Sequence, residues 1–170
     1  MNAFQDILVF VVVAPGVIFA VFALLWLLGW TPSERLLSGI TRLTFSACAS
    51  GVAALVWKMA SASNISVSLG SWFAVGTYHF PLVLMVDRLS TPFVALAAVL
   101  SGLIGQFSAT YLHRESGFLR FFLLLHLFAF GSLLAFAAGS FDLLAAGWEI
   151  VGITPSRIKA RRNGPMRSII

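Results

Sequence analysis

Residues 7–30 read ILVFVVVAPGVIFAVFALLWLLGW, 24 positions without a charge. A helix of that length extends about 36 Å, enough to cross a hydrocarbon core of about 30 Å with some tilt. No cationic segment precedes the stretch and no small-x-small cleavage pattern follows it. It therefore lacks the form of a signal peptide. Pro15-Gly16 inside it is expected to kink the helix.

The whole chain is written in the same style. Of its 170 residues, 59% are hydrophobic and only 10% are charged. Soluble domains carry roughly 25% charged residues, so a soluble globular domain and a disordered chain are both excluded. The net charge of +5 is local. Arg157, Lys159, Arg161, Arg162 and Arg167 sit in the last stretch, and residues 1–154 carry equal numbers of acidic and basic side chains. A solvated cytoplasmic tail accounts for that cluster better than a nucleic-acid surface, and no nucleic acid is expected as a partner. Cys48 is the single cysteine, so neither a disulfide framework nor a cysteine-ligated cluster is available within one chain.

Further spans follow by hydropathy. Residues 40–57 make a second, bounded by Arg42 and Lys58, whose long side chains can snorkel to the interface. Residues 61–88 are different, with serines, glycines, Trp72, Tyr78, His79 and Pro81. They alternate loosely and read as an extended, hairpin-like loop at the membrane surface. The third span, 90–112, opens on a capping Ser90 with Pro92 in its first turn. Its Ala98, Gly102 and Gly105 form a stripe of small residues that admits a neighbouring helix. The turn 113–117 leads to a fourth span, 118–138. The fifth, FDLLAAGWEIVGIT (141–154), gives only about 21 Å of helix. It is expected either to end early or never to complete a proper span, because Pro155 and five cations follow.

The predicted fold class is thus an all-α, polytopic membrane helix bundle with four complete transmembrane helices and an incomplete fifth. Residues 1–60 hold two helices, 61–88 an outer loop, 89–154 helices three to five, and 155–170 a basic cytoplasmic tail. Lysine and arginine are sparse on the side holding the N-terminus and the 58–88 loop, where only Lys58 and Arg88 occur. Arg35, Arg42, Arg114, Arg120 and the tail cations lie on the other side. The positive-inside rule then puts the N-terminus outside and the C-terminus in the cytoplasm of a cell inner membrane.

Three residues are candidates for ion chemistry. Glu149 lies eight positions into the fifth helix, about 12 Å deep. Intramembrane carboxylates are expensive and commonly mark ion or proton pathways. His126 enters the fourth helix from the opposite face, with an axial offset from Glu149 of about 6 Å, so a His–Glu contact fits the spacing. Imidazole is a natural proton carrier near neutral pH. Asp87, beside Arg88 where the outer loop enters the third helix, reads as an outer proton entry point, as a contact with a neighbouring subunit, or as a local ion pair with a helix-start signal. There is no GxGxxG, phosphate loop or HExxH, so no cofactor, metal or nucleotide is expected.

Three segments carry a resemblance: VDRLS (86–90), YLHRESGFLRFF (111–122) and FDLLAAGWEIVGIT (141–154). From Leu69 to Thr154 the chain resembles the antiporter-like chain-5 (L) subunit family of NADH-quinone oxidoreductase, complex I. It is equally similar to the related large subunits of sodium/proton antiporters and inorganic-carbon transporters. The resemblance implies that Glu149, after Gly147-Trp148, is a functional charge in proton translocation. It also implies other membrane subunits as partners and protons or Na+ as the transported ion. In the family that glutamate pairs with a lysine on a later, broken helix. After Thr154 this sequence departs from the family's apolar continuation. The expectation is an N-terminal fragment, a frameshifted reading frame or a pseudogene product, not a competent pump alone. The alternative is a short, non-catalytic membrane assembly protein.

Overall fold

A computed structural model describes residues 2–30, 32–61, 64–76, 78–113 and 117–162, without the side chains of residues 72–75, 78 and 154–162. Helices α1 (Ala3–Leu27) and α2 (Glu34–Met59) precede a two-stranded antiparallel sheet, β1 (Asn64–Val75) and β2 (Tyr78–Asp87). Helices α3 (Ser90–Tyr111), α4 (Phe118–Phe136) and α5 (Phe141–Arg162) complete the order. The first four helices are each long and apolar enough to cross a membrane. In hydrocarbon a helix satisfies its own backbone polar groups, which is why these runs fold as they do.

Helix α1 continues through Pro15. Proline has no N–H to donate to the carbonyl four residues back, so the Val11 oxygen loses its intrahelical partner. The Cys48 thiol, from α2, donates to that oxygen at 3.8 Å. A neighbouring helix supplies what the proline removed. Gly51 permits the approach: a Cβ there would meet Val11 Cγ2 at 2.8 Å. Further along α1, Gly16 leaves room for the Phe130 ring of α4, which a Cβ would meet at 2.8 Å.

Helix α2 is longer than its hydropathy indicates. It starts at Glu34, with Ser33 as N-cap accepting from the Leu36 N–H. Arg42 therefore lies inside the helix, not at its boundary. The small-residue stripe of α3 packs as expected: Ala98 and Gly105 are buried, and a Cβ on Gly102 would meet Phe45 at 3.1 Å.

The extended loop is a hairpin, so the fold is helical with one small sheet. Ile65 and Val67 on β1, and Leu84 and Val86 on β2, are buried and join the cluster of Leu8, Val11, Val52 and Leu55. Ser66, Ser68 and Met85 alternate with them on the exposed face. This period of two turns the hairpin into a cover over one end of the bundle. Each apolar side chain so withdrawn from water contributes about 1.5–3 kcal/mol. Gln5 Nε2 donates to the Ser66 carbonyl at 2.8 Å. The α4–α5 turn adds to the sheet: Met85 N–H donates to Ala137 O and Gly139 N–H to Val83 O, both at 2.8 Å. A Cβ on Gly139 would lie 2.9 Å from the Val83 oxygen, so that seam requires glycine. The N-terminus, the hairpin and this turn thus share one end.

At the other end, His113 Nδ1 pairs with Glu34 Oε2 at 2.6 Å. That contact ties the start of α2 to the segment after α3. Arg114 and Ser116, in the same turn, lie outside the described residues, as does Arg167.

Helix α5 is not among the four helices long and apolar enough to cross a membrane, but it does not end early. Its backbone does not stop near Thr154 but stays helical through Pro155 to Arg162. The first part of the basic tail is therefore a continuation of α5. Proline inside a membrane helix keeps the helical course where the freed carbonyl finds another partner.

Candidate functional site

The chemistry-bearing helices are α4 and α5, and glycine sets how they meet. A Cβ on Gly147 would lie 2.7 Å from Ala135 N and 2.9 Å from Gly131 O. A Cβ on Gly131 would lie 2.7 Å from Ile150 Cγ2. Gly131 and Ala135 are four apart on α4, the small-xxx-small spacing that lets helix backbones touch. Gly147 is buried in this contact. Glu149, two residues on, lies about 200° around the helix at 100° per residue. It is accordingly exposed, and Trp148 beside it is 72% exposed. Glu149 lies on the outer face of the bundle, eight residues into α5.

His126 lies elsewhere. It is fully buried, between Phe22 of α1 (ring centroids 5.3 Å) and Phe45 of α2 (5.1 Å). Its Nδ1–H donates to the Phe122 carbonyl at 2.9 Å. Nε2 is buried without a hydrogen-bond partner. The His–Glu contact that the spacing allows is therefore not formed. The rotation of α4, fixed by the aromatic rings of α1 and α2, turns the imidazole away from the outer face where Glu149 lies.

Asp87 serves the start of α3. Its Oδ1 accepts from Ser90 N–H at 2.7 Å and from Leu89 N–H at 3.0 Å, while the Ser90 hydroxyl accepts from Asp87 N–H. This is a reciprocal cap in which the aspartate, not Ser90, satisfies the helix donors. The Ser90 and Leu89 N–H groups hold the Asp87 carboxyl below the usual carboxylate range, the Ser90 backbone bond first. Among the described residues Asp87 makes no ion pair with Arg88, so the helix-start half of that reading holds and the ion-pair half does not. The three candidates thus occupy three separate places: an outer face, an aromatic interior and a helix cap. No group of three or more His, Cys, Asp or Glu residues able to hold a metal occurs among the described residues.

Sequence reasoning missed the partnership of Cys48 with Pro15. The signal was present: a proline in a membrane helix implies an orphan carbonyl four residues earlier, and a thiol is a donor.

Residues 72–122 match the family model described as NADH-ubiquinone oxidoreductase (complex I), chain 5 N-terminus. This segment is similar to the N-terminal part of the chain-5 family. NADH-ubiquinone oxidoreductase chain 5 of Dictyostelium discoideum is 32% identical over 91 residues, covering 54% of this chain and 14% of that protein. NADH-quinone oxidoreductase subunit L of Escherichia coli is 23% identical over 124 residues, 73% of this chain and 20% of that protein. A probable inorganic carbon transporter subunit, DabB1 of Halothiobacillus neapolitanus, is 37% identical over 83 residues, 49% of this chain and 14% of that protein. The chain spans only about a seventh to a fifth of the length of these curated relatives. The matched stretch of chain-5 type runs from β1 through the hairpin and α3 into the first turns of α4.

Proposed function

We propose that this chain forms the opening helices of a proton-translocating, antiporter-like membrane subunit of an NADH-quinone oxidoreductase-type complex, with Glu149 as its functional charge. The observation that carries the reading is the glycine contact of α4 and α5, which turns Glu149 to an outer face of the bundle. A carboxylate held there is available to a cation or a hydrated path on an adjoining helix. Transport by these helices alone is not part of the proposal. The N-terminal end, with the hairpin, faces outward by the lysine and arginine distribution, in a bacterial-type inner membrane. His126 is a secondary element: a buried imidazole with a free acceptor nitrogen is suited to receive a proton or a water. Asp87 is assigned to the helix cap.

A second reading, a subunit of an inorganic-carbon transporter, is favoured by the similarity to DabB1 at 37% identity. The test is Glu149→Gln in the assembled complex that contains this chain, reconstituted in sealed vesicles. Proton uptake on quinone reduction is expected to fall sharply while the complex stays intact. Undiminished uptake would refute the role of Glu149. Bicarbonate-dependent uptake lost without any quinone-linked activity would select the second reading.

A further inference from the structure

A groove of about 430 Å³ runs between α1, α4 and α5, lined by Phe19, Trp26, Arg120, Leu123, Leu124, Leu127 and Ile153. Its volume lies in the range of small-molecule sites. Its long walls are Phe19 to Trp26 on α1 and Arg120 to Leu127 on α4. Seven residues of helix rise about 10 Å, so the groove follows the helix axes for about that distance. It runs from mid-bundle to the end where Glu34 pairs with His113. The groove is asymmetric: among the described residues that line it, the one charged group is Arg120, in the first turn of α4 at that end. Trp26, 62% exposed, stands there too, at the level where indoles favour the membrane interface. The other described lining residues are apolar. Arg120 is exposed, with no described ion pair.

A cation at the polar end of an apolar channel aligned with the membrane normal matches the layout of a phospholipid. Phosphate pairs with guanidinium through short, charge-assisted hydrogen bonds, and an acyl chain lies along the aliphatic walls. A leaflet is about 15 Å deep in hydrocarbon, so a groove of about 10 Å holds most of one chain. A partner helix fits less well. It is about 10 Å wide with side chains and would have to bury the Arg120 charge against an apolar surface. Glu149 lies one turn before Ile153 on α5, toward the far end of the groove, and does not reach the headgroup position.

We infer that this groove is a binding site for an anionic phospholipid of the leaflet on the Glu34–His113 side, with its phosphate on Arg120 and one acyl chain between α1, α4 and α5. The inference does not depend on the transport reading. An anionic headgroup is preferred because a zwitterionic one brings an ammonium group beside the guanidinium.

Native mass spectrometry of the full chain released from nanodiscs of equal phosphatidylglycerol and phosphatidylcholine tests it. The parent is expected to retain phosphatidylglycerol selectively. Arg120→Gln should lower that retention about fivefold, the worth of one interfacial cation, and Arg120→Lys should keep most of it. Arg35→Gln, a cation at the same end but outside the groove, should change nothing. Leu124→Trp should fill the groove and abolish retention with Arg120 in place, its helix content by circular dichroism unchanged. Equal retention of the two lipids by the parent, equal losses in Arg120→Gln and Arg35→Gln, or a parent that retains neither lipid would each overturn the assignment.

Discussion

Gly147→Ala asks whether backbone contact between α4 and α5 holds the candidate charge in place. The added Cβ would lie 2.7 Å from Ala135 N, 2.9 Å from Gly131 O and 3.0 Å from Ala135 Cα. All three are backbone atoms, which cannot swing aside as a side chain would. Ordinary contact begins near 3.4 Å, so the two helices must separate by roughly 0.7 Å or more. Overpacking of this kind costs about 1–3 kcal/mol. Against it stands the helix preference of alanine, up to about 1 kcal/mol over glycine. Gly39→Ala measures that gain alone, because a Cβ on Gly39 of α2 meets nothing within 4 Å. The difference between the two variants isolates the packing cost. At about 2–4 °C per kcal/mol for a chain of this size, Gly147→Ala should melt roughly 2–12 °C below Gly39→Ala in detergent. The readout is thermal unfolding followed by circular dichroism. Equal melting temperatures for the two variants would show that α4 and α5 do not meet through Gly147, and the outward placement of Glu149 would lose its cause.

Three further outcomes are expected. Cys48→Ser should match the parent in thermal stability, since a hydroxyl also donates to Val11 O. Cys48→Val should melt lower by the worth of an interhelical hydrogen bond, about 0.6 kcal/mol; equal behaviour would remove the Pro15 compensation. Asp87→Ala should lower stability at neutral pH. Because the folded carboxyl is held below its ordinary range, the cap is fully present above that range and is lost as pH falls through the folded value. The gap between parent and Asp87→Ala should therefore stay constant from pH 8 to 5 and close only in acid, and a gap already closing near pH 6 would contradict the assignment. Finally, with Cys48 buried, a membrane-impermeant thiol reagent should label Ser66→Cys from outside and Arg35→Cys only from the cytoplasmic side, and the opposite pattern would invert the topology.

Much of the fold is legible because the bilayer leaves the backbone few options. Hydropathy locates α1, α3 and α4 closely, since a run such as residues 7–30 has no alternative to a helix in hydrocarbon. It shortens α2, because Glu34, Arg35 and Arg42 depress the hydropathy of its first half. The hairpin is visible in the alternation of Ile65 and Val67 with serines. Its docking on Ala137 and Gly139 is not visible, because that fit belongs to two backbones far apart in sequence. For the candidate charges, residue spacing does not determine facing. Phe22 and Phe45 claim the imidazole while Gly147 turns the carboxylate outward. The Gly147 contact is readable only after the fact, from a glycine two residues before an acid and a small-xxx-small pair on the preceding helix.

The outward face of α5 bears on what Glu149 can be for. An acidic side chain at the centre of a membrane helix costs about 2.5–3.5 kcal/mol on insertion scales, and the glycine contact prevents α5 from rotating that group into its own bundle. A cation on an adjoining helix would offset the cost, and the offset makes association and charge inseparable. If Glu149 serves only to hold such a helix, Glu149→Gln leaves the partner's cation buried and unpaired. The expected penalty is about 3–5 kcal/mol, and the complex should fall apart along with its activity. If Glu149 instead acts on protons within a hydrated path, water can solvate the partner's cation when the carboxylate is gone. Assembly should then survive while transport fails. The ratio of assembled complex to transport in the single variant Glu149→Gln therefore distinguishes an assembly charge from a translocation charge.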